Sequence, residues 1–436
     1  MPDTTCPLKI AYAIQNVGQI EFSTDLGDAV PVKQSLLGLH WAGHTVVCVR
    51  LRKRAVFRYE LPGFDEAGRV PIGWINSGPF LSLESGLRRL QKLLNLRYYA
   101  VWDSLRFYKG CRAVLPEFDL CHEHNGLFSV GAALACRRLN LPYVLTVSAD
   151  LLRERKLSGQ ALTGVHARWA AAAAVYTYHQ ADRILCVSAS AGRHLAGEYG
   201  IPEEKISVIP NGVDTDRFKP GDEANEPLRR ALGTREDRLV TFVGTFQPWH
   251  GLDLLVEAFS EIRARAPGTR LLLVGDGRAR ETVEATIDRC GVRDGVTITG
   301  LLPQERIPEI LAISDVAVMP YPGLPGDLWF SPLKMYEYMA AGKAIVASTG
   351  GQISEVIRDG HNGVLVEPGD VRALAEACAG LLLDPEERRR LGGNARKDAL
   401  ARHSWTVYTE RLERIYRMTL ELKAGGAGVR IRRPAT

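Results

Sequence analysis

Short apolar runs alternate with longer amphipathic stretches along the whole chain. This alternation is typical of parallel β-strands that are joined by helices. It predicts more strands than one open sheet of the usual width contains, so we expect an α/β protein with two doubly wound domains. The predicted strands lie near residues 8–14, 45–50, 118–122, 143–147, 183–188, 206–209, 239–243, 270–274, 296–299, 316–319, 344–348 and 364–366.

The segment of residues 210–230 separates the two halves of this pattern. It is rich in Pro, Gly, Asp and Asn and poor in apolar residues, which is typical of a domain boundary. We therefore predict a first domain over residues 1–214 and a second domain over residues 215–404. The Gly-rich and then basic tail, residues 425–436, is predicted to be disordered.

Composition narrows the class of protein. With 46% apolar and 24% charged residues in a chain of 436, the composition is that of a soluble globular protein. A net charge of +5 is too small to indicate nucleic acid as a partner. The eight cysteines have no metal-ligand spacing and are expected to be buried thiols in a reducing cytosol. Because the start of the chain leads directly into a predicted strand, we expect no signal peptide and a cytoplasmic location.

Residues 86–112 depart from the alternation, since they hold seven Lys or Arg against one Asp, together with five aromatic residues. One interpretation is an amphipathic basic helix that lies on an anionic membrane, giving peripheral contact at the inner membrane face. The other is a helix that packs on the core and solvates its basic face. Both start from apolar residues at helical spacing, namely Leu83, Leu87, Leu90, Leu94, Tyr98, Val101 or Trp102, and Leu105.

The run FSPLKMYEYMAAGKAIVAS, residues 330–348, predicts an anion site at the start of a helix. Ser331 is expected to be the N-cap and Pro332 the first helical residue. The amides near Leu333 and Lys334 would then be free donors at the positive end of the helix dipole. Because the Lys334 ammonium adds a full charge beside them, this helix start should bind a phosphate.

Glu337 lies three residues after Lys334 on the same helix face, where its carboxylate can accept hydrogen bonds from sugar hydroxyls. The helix should end near Gly342, before a buried strand at residues 344–348. A phosphate and a sugar side by side indicate a nucleotide-sugar. Taken alone, the motif is also compatible with a capped helix that carries an ion pair.

Glycine-rich turns follow several of the predicted strands. In an open α/β sheet, turns at the carboxyl ends of strands are where ligands bind. The turn Gly275-Asp276-Gly277 lacks the third glycine of a dinucleotide-binding fingerprint, so a dehydrogenase is disfavoured. The segments concerned are residues 206–220, 240–259, 271–280 and 296–321.

In this order, the motifs PNGVD, PWHG, VGDG and FSPLKMYEYMAAG resemble those of the family 4 glycosyltransferases, over residues 6–420. The resemblance implies the GT-B fold, with two Rossmann-like domains that face each other across a cleft. It implies that the first domain binds the acceptor, that the second binds the donor, and that a helix near residues 405–422 crosses back to the first domain.

The implied activity is the transfer of a sugar, with retention of configuration, from a UDP- or GDP-sugar to a hydroxyl of a saccharide, glycolipid or small molecule. The leaving diphosphate would assist as the base. Polysaccharide or glycolipid biosynthesis is the implied setting, without a cofactor or an essential metal. An Asp-Thr-Asp run at residues 214–216 and the His122–His124 pair are not expected to bind a metal ion, because the former lies in a turn and the latter lacks a third ligand.

The family's site residues can be carried over onto matching positions of this chain. Glu337 is implied to bind the donor ribose, Lys334 and His250 to face the diphosphate, and Asp150 to assist catalysis. Acceptor-side roles fall on His122 and Ser148. The implied donor-binding residues are Gly18, Gly27, Gly244, Thr245, Gly251, Gly275, Asp276, Gly277, Leu301, Leu302, Ser331, Pro332 and Leu333.

The chain departs from the family pattern at four positions. Thr245 and His250 stand where basic residues are common, Trp329 replaces a Glu, and Ser148 replaces a His. Charge compensation should then rest on Lys334, on helix N-termini and on a protonated His250, whose pKa a diphosphate would raise. Two alternatives stay open: an epimerase or phosphorylase of the same fold, and a degenerate sugar-nucleotide-binding protein without catalytic activity.

Overall fold

A computed structural model of the protein describes residues 6–15, 29–93, 101–221, 225–234, 238–323 and 331–427. The described residues form two compact units. Unit 1 contains the residues up to Val187, the segment Ala191–Ile209 and the residues from Tyr408 onward. Unit 2 contains Ser188–Ser190 and Pro210–Val407. No helix in the described part of the chain is long and apolar enough to cross a membrane.

The strands and helices alternate along the chain. The strands are β1 (Lys9–Ile14), β2 (Thr45–Arg52), β3 (Ala55–Glu60), β4 (Asp65–Val70), β5 (Leu120–His124), β6 (Tyr143–Val147), β7 (Arg183–Cys186), β8 (Ile206–Val208), β9 (Arg238–Val243), β10 (Thr269–Val274), β11 (Val296–Gly300), β12 (Val316–Met319), β13 (Ala344–Ser348) and β14 (Val364–Val366). The helices are α1 (Ala29–Trp41), α2 (Gly78–Leu93), α3 (Val101–Val114), α4 (Gly131–Leu139), α5 (Leu151–Leu157), α6 (Gly164–Gln180), α7 (Ala189–Tyr199), α8 (Glu226–Ala231), α9 (Leu252–Arg265), α10 (Arg280–Cys290), α11 (Ile307–Ile313), α12 (Leu333–Ala340), α13 (Gly351–Val356), α14 (Val371–Leu383), α15 (Pro385–Arg402) and α16 (Trp405–Ala427).

Unit 2 contains a parallel sheet in the order β11-β10-β9-β12-β13-β14. Counted from β9, this is the order 3-2-1-4-5-6 of a doubly wound sheet. Both faces of the sheet are covered, since Leu271 and Leu273 belong to one core cluster and Leu272 and Val274 to another. Strands that are buried on both faces read as continuous apolar runs, which is why the sequence predicted them. The order reverses between β9 and β12, where a binding crevice is expected.

Unit 1 contains a sheet in the order β4-β3-β2-β1-β5-β6-β7-β8. Its strands are parallel except for β3 and β4, which form an antiparallel hairpin on β2. Each predicted strand of both units is confirmed, with small shifts at the ends. The hairpin was missed because β4 (DEAGRV) buries only Val70 and therefore carries no apolar run.

The described parts of the basic segment, residues 86–93 and 101–112, lie in α2 and α3. α3 packs on the core of unit 1 through Phe107, Cys111 and Val114, as the core-packing interpretation predicted. In α2, by contrast, Leu83, Leu87 and Leu90 are exposed. Leu94 and Tyr98, which were predicted to belong to the same apolar side, lie outside the described residues.

α2 is tied to α3 by a buried ion-pair network. The buried Arg106 guanidinium of α3 donates hydrogen bonds to both carboxylate oxygens of Glu84, the one buried residue of α2, and the Arg88 Nη2 donates to Glu84 Oε1 at 2.7 Å. Burial alone would raise the pKa of Glu84, but the hydrogen bonds from Arg106 and Arg88 outweigh it and lower the pKa to about 2. Glu84 is therefore charged wherever the protein is folded near neutral pH.

α16 attaches the end of the described chain to unit 1. The His122 Nδ1 lies 2.5 Å from the Tyr416 hydroxyl, and the Lys423 ammonium donates to the Asp182 carboxylate at 2.8 Å. The predicted helix of residues 405–422 is longer than expected and continues to Ala427, so the predicted disordered tail does not begin at residue 425. Residues 428–436 of that tail lie outside the described residues.

We expect the Arg106→Leu substitution to lower the free energy of unfolding by about 3–5 kcal/mol, because it leaves the buried Glu84 carboxylate without its main partner. Urea denaturation at pH 7 measures this loss. The double variant Arg106→Leu/Glu84→Leu should recover most of it, since an apolar pair can replace a buried ion pair. A loss below about 1 kcal/mol in the single variant would contradict the importance of the network.

Candidate functional site

The turns after β9 and β10 lie side by side at the carboxyl edge of the unit 2 sheet. The Gly244 amide donates to the Val274 carbonyl at 2.9 Å, and the Gly275 amide donates to the Gly300 carbonyl at 2.9 Å. Gly275 has φ +137°, and a Cβ built on it would lie 1.9 Å from the Gly244 carbonyl oxygen. Only glycine allows this approach, so the Gly-Asp-Gly turn serves to bring the two turns together.

The neighbouring turns fix the edge of the crevice. A Cβ on Gly251 would lie 1.8 Å from the carbonyl oxygen of Pro320, which follows β12. The turn that leads into α9 therefore touches the turn after β12. The Asp276 carboxylate accepts a hydrogen bond from the Gly277 amide at 2.7 Å and lies 3.9 Å from the Arg280 guanidinium.

The start of α12 differs from the predicted cap. Pro332, in extended conformation, occupies the N-cap position, and no side chain caps the helix. The prediction of Ser331 as N-cap is therefore wrong, and the Ser331 hydroxyl instead lies 3.4 Å from the Tyr336 hydroxyl. The amides of Leu333 and Lys334 donate no hydrogen bond to any described residue, which leaves them available to an anion.

The Lys334 side chain lies against aromatic rings at the ends of β9 and β12. Its Nζ is 4.0 Å from the centroid of the Phe242 ring and 6.0 Å from that of Tyr321. This nitrogen is buried, and none of the described residues accepts a hydrogen bond from it. Burial lowers the pKa of Lys334 to about 7, although the nearby Glu337 opposes the shift. A buried amine without an acceptor marks a place for an anionic ligand.

Glu337 lies one turn further along α12. Its Oε1 accepts a hydrogen bond from the Gln304 Nε2 at 2.8 Å. Burial raises the pKa of Glu337, and Gln304, Lys334 and Arg217 oppose the shift. Gln304 was not predicted. Its position two residues after Leu302, in a turn that was expected to meet the ligand, could have indicated it. Its amide orients the Glu337 carboxylate, whose Oε2 has no hydrogen-bond partner among the described residues.

The His250 ring lies among aromatic side chains near Lys334. Its Nδ1 donates to the Thr245 carbonyl at 2.6 Å, and its ring packs against Phe242 and Tyr321. Burial, and then the charge of Lys334, lower its pKa well below the usual value. In the absence of a ligand, the aromatic surroundings and a neighbouring amine both disfavour a positive charge on His250. The imidazolium expected beside a bound diphosphate stays a prediction.

The residues predicted to meet a nucleobase lie after β11. The Leu302 side chain packs against a core cluster of unit 2, whereas the Leu301 side chain is exposed. The turn therefore offers backbone groups and one apolar side chain. The predicted site residues Gly18 and Gly27, and the departure at Trp329, lie outside the described residues.

In unit 1, His122 does not reach a surface. It is fully buried, its Nε2 lies 2.7 Å from the Thr146 hydroxyl, and burial lowers its pKa to about 3. With both ring nitrogens paired within the unit, its predicted acceptor-side role is not supported. Ser148 lies at the end of β6, where its hydroxyl is 3.4 Å from the His124 Nε2.

Asp150 caps α5. Its Oδ1 accepts from the amides of Leu152 and Arg153, and its Oδ2 accepts from the His194 Nε2 at 2.8 Å and the Tyr199 hydroxyl at 2.9 Å. Burial raises its pKa, but the hydrogen bond from His194 and the other donors outweigh burial and lower it. The carboxylate is saturated with donors, which favours a structural role over the predicted catalytic one.

A small cavity lies at the carboxyl ends of β5 and β6 in unit 1. Asn125, Asp150 and Tyr178 line its polar side, and Phe128 lines its apolar side. Asn125 donates to the Tyr178 hydroxyl at 3.3 Å. Nowhere in the six described ranges do three His, Cys, Asp or Glu side chains gather as metal ligands would. In chemical terms, unit 2 offers a buried amine at a helix start beside an oriented carboxylate.

Two family models match the chain. The model described as Glycosyltransferase Family 4 matches residues 35–217, and the model described as Glycosyl transferases group 1 matches residues 225–398. A D-inositol 3-phosphate glycosyltransferase of Acidothermus cellulolyticus is 30% identical over 325 residues, which are 72% of this chain and 70% of that protein.

A second relative is matched over a shorter part. The GDP-mannose-dependent alpha-(1-6)-phosphatidylinositol monomannoside mannosyltransferase of Mycolicibacterium smegmatis is 32% identical over 236 residues, or 54% of this chain. The chain spans 62% of the length of that relative.

Solved structures share the fold. HepE of Anabaena, in complex with UDP, superposes with a TM-score of 0.69 at 18% identity and covers 94% of this chain and 100% of its own. The sucrose-phosphate synthase of Thermosynechococcus elongatus superposes with a TM-score of 0.70 at 20% identity, covering 95% of this chain and 100% of its own. Together with the two parallel sheets, these likenesses confirm the predicted GT-B fold class.

We expect the Gly244→Ala substitution to weaken the binding of inorganic pyrophosphate about tenfold or more, because a displaced charged contact is worth about 1.5–3 kcal/mol. A Cβ on Gly244 would lie 2.8 Å from the Lys334 Nζ and push the ammonium away. Isothermal titration calorimetry measures the affinity.

The matched control is Gly68→Ala. Gly68 has φ +141°, close to the +144° of Gly244, but a Cβ on it would meet no atom within 4 Å. This variant therefore places a Cβ at a similar φ without the contact, and it should bind pyrophosphate like the unmodified protein. Equal losses in the two variants would rule out a specific effect on Lys334.

Proposed function

The chain belongs to glycosyltransferase family 4, and we propose that it transfers a sugar from a UDP- or GDP-sugar to a hydroxyl of a saccharide, glycolipid or small-molecule acceptor. The observation that carries the proposal is the buried Lys334 amine, which lacks a hydrogen-bond acceptor among the described residues. It lies beside the open amides of the α12 start and one helical turn from Glu337. This set suits a diphosphate with a sugar ring at its side.

In the proposed mechanism, unit 2 stabilises the leaving diphosphate. The Lys334 ammonium and the amides of Leu333 and Lys334 face the charge that develops as the glycosidic bond breaks. The Glu337 carboxylate, oriented by Gln304, accepts hydrogen bonds from the donor ribose. The Gly244 turn lets the diphosphate approach the backbone closely.

We propose that the reaction retains the anomeric configuration. The acceptor hydroxyl attacks on the face from which the diphosphate departs, and a phosphate oxygen takes its proton. No carboxylate nucleophile is then required, in contrast to a retaining glycosidase. No cofactor or metal ion is required in this scheme, because the lysine and the helix start supply positive charge at the leaving group.

The sugar and the acceptor are proposals by analogy. The mannosyltransferase relative is named for GDP-mannose and for a phosphatidylinositol monomannoside, and other relatives are named for D-inositol 3-phosphate. These names support a glycolipid or inositol-containing acceptor and include GDP among the donors. We also propose that the enzyme is cytoplasmic and that residues 86–112 give it peripheral contact with an anionic membrane.

A second candidate is a sugar-nucleotide-binding protein without catalytic activity. Thr245 and His250 occupy positions where the family commonly has basic residues, and burial lowers the pKa of His250, so the stabilisation of the leaving group would be weak. An epimerase or a phosphorylase of the same fold is a further alternative, and an epimerase would need an acid–base pair around C2 of the sugar, which the sequence does not indicate. Donor turnover distinguishes the candidates.

We expect one of UDP and GDP to bind with micromolar affinity and the Glu337→Ala substitution to weaken it at least about tenfold, which is the value of one lost charged hydrogen bond. Calorimetry with UDP, GDP and, as a negative control, NAD measures this. The matched control is Glu309→Ala, which removes an exposed carboxylate from α11. If neither diphosphate binds, or if both variants lose affinity equally, the proposed donor site is wrong.

Donor binding should also weaken above neutral pH. The free protein holds Lys334 with a pKa of about 7, whereas a bound diphosphate stabilises the ammonium and raises that pKa. Binding above pH 7 therefore takes up a proton, and the dissociation constant should rise about tenfold per pH unit until the pKa of the complex is reached. Calorimetric titrations in buffers of different ionisation enthalpy measure how many protons are taken up on binding. A Lys334→Met variant should bind weakly and show no such dependence, and an unchanged affinity of the wild type from pH 7 to about 9 would contradict the assignment.

A further inference from the structure

α2 exposes a row of leucines. Leu83, Leu87, Leu90 and Leu93 have relative exposures of 61%, 43%, 51% and 84%. Their spacing of i, i+4, i+7 and i+10 places them along one side of the helix. We call these four residues the α2 leucine face. It is a continuous apolar strip rather than a scatter of single exposed residues, and such a strip indicates an interaction site.

The apolar side of α2 faces solvent, which is the reverse of a normal surface helix. An amphipathic helix of a soluble domain buries its apolar side and exposes its charges. In α2 the one buried residue is Glu84, which is held by Arg106 and Arg88, while the leucines face solvent. The ion-pair network therefore fixes the helix with its apolar side outward.

The charges beside this face have one sign. α2 is described over its whole length, and within it Glu84 is the only acidic residue, so no carboxylate of the helix reaches the surface. Arg89 is exposed and lies four residues before Leu93, so it borders the leucine face, whereas the exposed Lys92 lies on another side of the helix. Leucines bordered by a basic side chain are typical of helices that lie in the interface of an anionic bilayer.

An exposed tryptophan adjoins the start of the helix. The Trp74 ring packs edge-on against Phe80 in the first turn of α2, with ring centroids 5.0 Å apart, and the Lys109 Nζ lies 5.3 Å from the Trp74 centroid. Trp74 is 56% exposed. Tryptophan and lysine together are common at the headgroup level of membranes.

We propose that the α2 leucine face docks on the surface of a bilayer that contains anionic lipids, with α2 lying in the plane of the headgroups. This inference rests on the proposed function, and it narrows the membrane contact from residues 86–112 to α2 and Trp74. α3 adds Lys109 beside Trp74, while its buried side packs on the core. A second copy of the chain fits less well, because pairing two such faces would bring the Arg89 side chains of the two copies together without a carboxylate of α2 to neutralise them.

The test is flotation of the full-length protein with phosphatidylcholine vesicles that contain about one-third phosphatidylglycerol, and with pure phosphatidylcholine. The variant Leu87→Ser/Leu90→Ser should reduce the partition coefficient about tenfold or more, since it removes two buried leucines from the lipid contact. The variant Arg89→Glu/Lys92→Glu should abolish the preference for the anionic vesicles at low salt.

Matched controls come from unit 2. Leu383 and Leu400 are also exposed leucines, so Leu383→Ser/Leu400→Ser should float like the wild type. Arg389→Glu/Lys397→Glu makes the same change of charge on α15 and should retain the preference for anionic vesicles. Unchanged flotation of both α2 variants, or absence of wild-type flotation, would overturn the proposal. So would a dimer in sedimentation that Leu87→Ser/Leu90→Ser converts to a monomer.

Nucleotide titration of the same variants separates this proposal from the donor-site assignment. The α2 variants should bind UDP or GDP like the wild type, because they leave the α12 site untouched. Glu337→Ala should lose the nucleotide and still float. Flotation without nucleotide binding would therefore refute the donor site alone, and nucleotide binding without flotation would refute the membrane contact alone.

Discussion

The candidate site depends on one buried amine that has no hydrogen-bond acceptor among the described residues. Lys334 lies over the Phe242 ring at the end of β9, and the absence of a Cβ on Gly244 leaves room for its ammonium. The approach of the turns after β9 and β10, which Gly275 permits, holds this arrangement in place. Because the buried Lys334 ammonium has no hydrogen-bond acceptor among the described residues, its protonated form is unfavourable until an anion binds. The reversal of strand order, the helix start and the glycine turns all serve to hold this charge open to a ligand.

Much of this architecture could be predicted from the sequence because strands buried on both faces read as apolar runs. The β3–β4 hairpin could not, since β4 buries only Val70 and lacks such a run. At the site, residue types were predicted better than their environments. The N-cap of α12 is Pro332 and not the predicted Ser331. The backbone conformation decides where a helix begins, and residue preference alone does not fix that conformation. The carboxylate of Asp150 was predicted as catalytic, but two of its four donors, His194 and Tyr199, belong to α7, which only the fold brings beside α5.

His250 shows the same limit in electrostatics. The PWHG motif indicated where this residue lies, but its pKa depends on Phe242, Tyr321 and Lys334, which are distant in sequence. Burial among these rings, and then the charge of Lys334, lower the pKa of His250. α2 illustrates the opposite case. The spacing of its leucines predicted an apolar face correctly, while the direction of that face was decided by Glu84 and Arg106.

The attachment of α16 to unit 1 has a consequence for synthesis. Residues near the end of the described chain complete the interior of a unit that begins near its start, since Tyr416 contacts His122, Glu413 contacts His44, and Lys423 contacts Asp182. Unit 2 is almost contiguous in sequence, from Pro210 to Val407. During translation, unit 2 can close as soon as its own residues have left the ribosome, whereas unit 1 waits, with the α16 side of its sheet uncovered, for the last helix. The half of the protein that is made first is thus the half that is finished last.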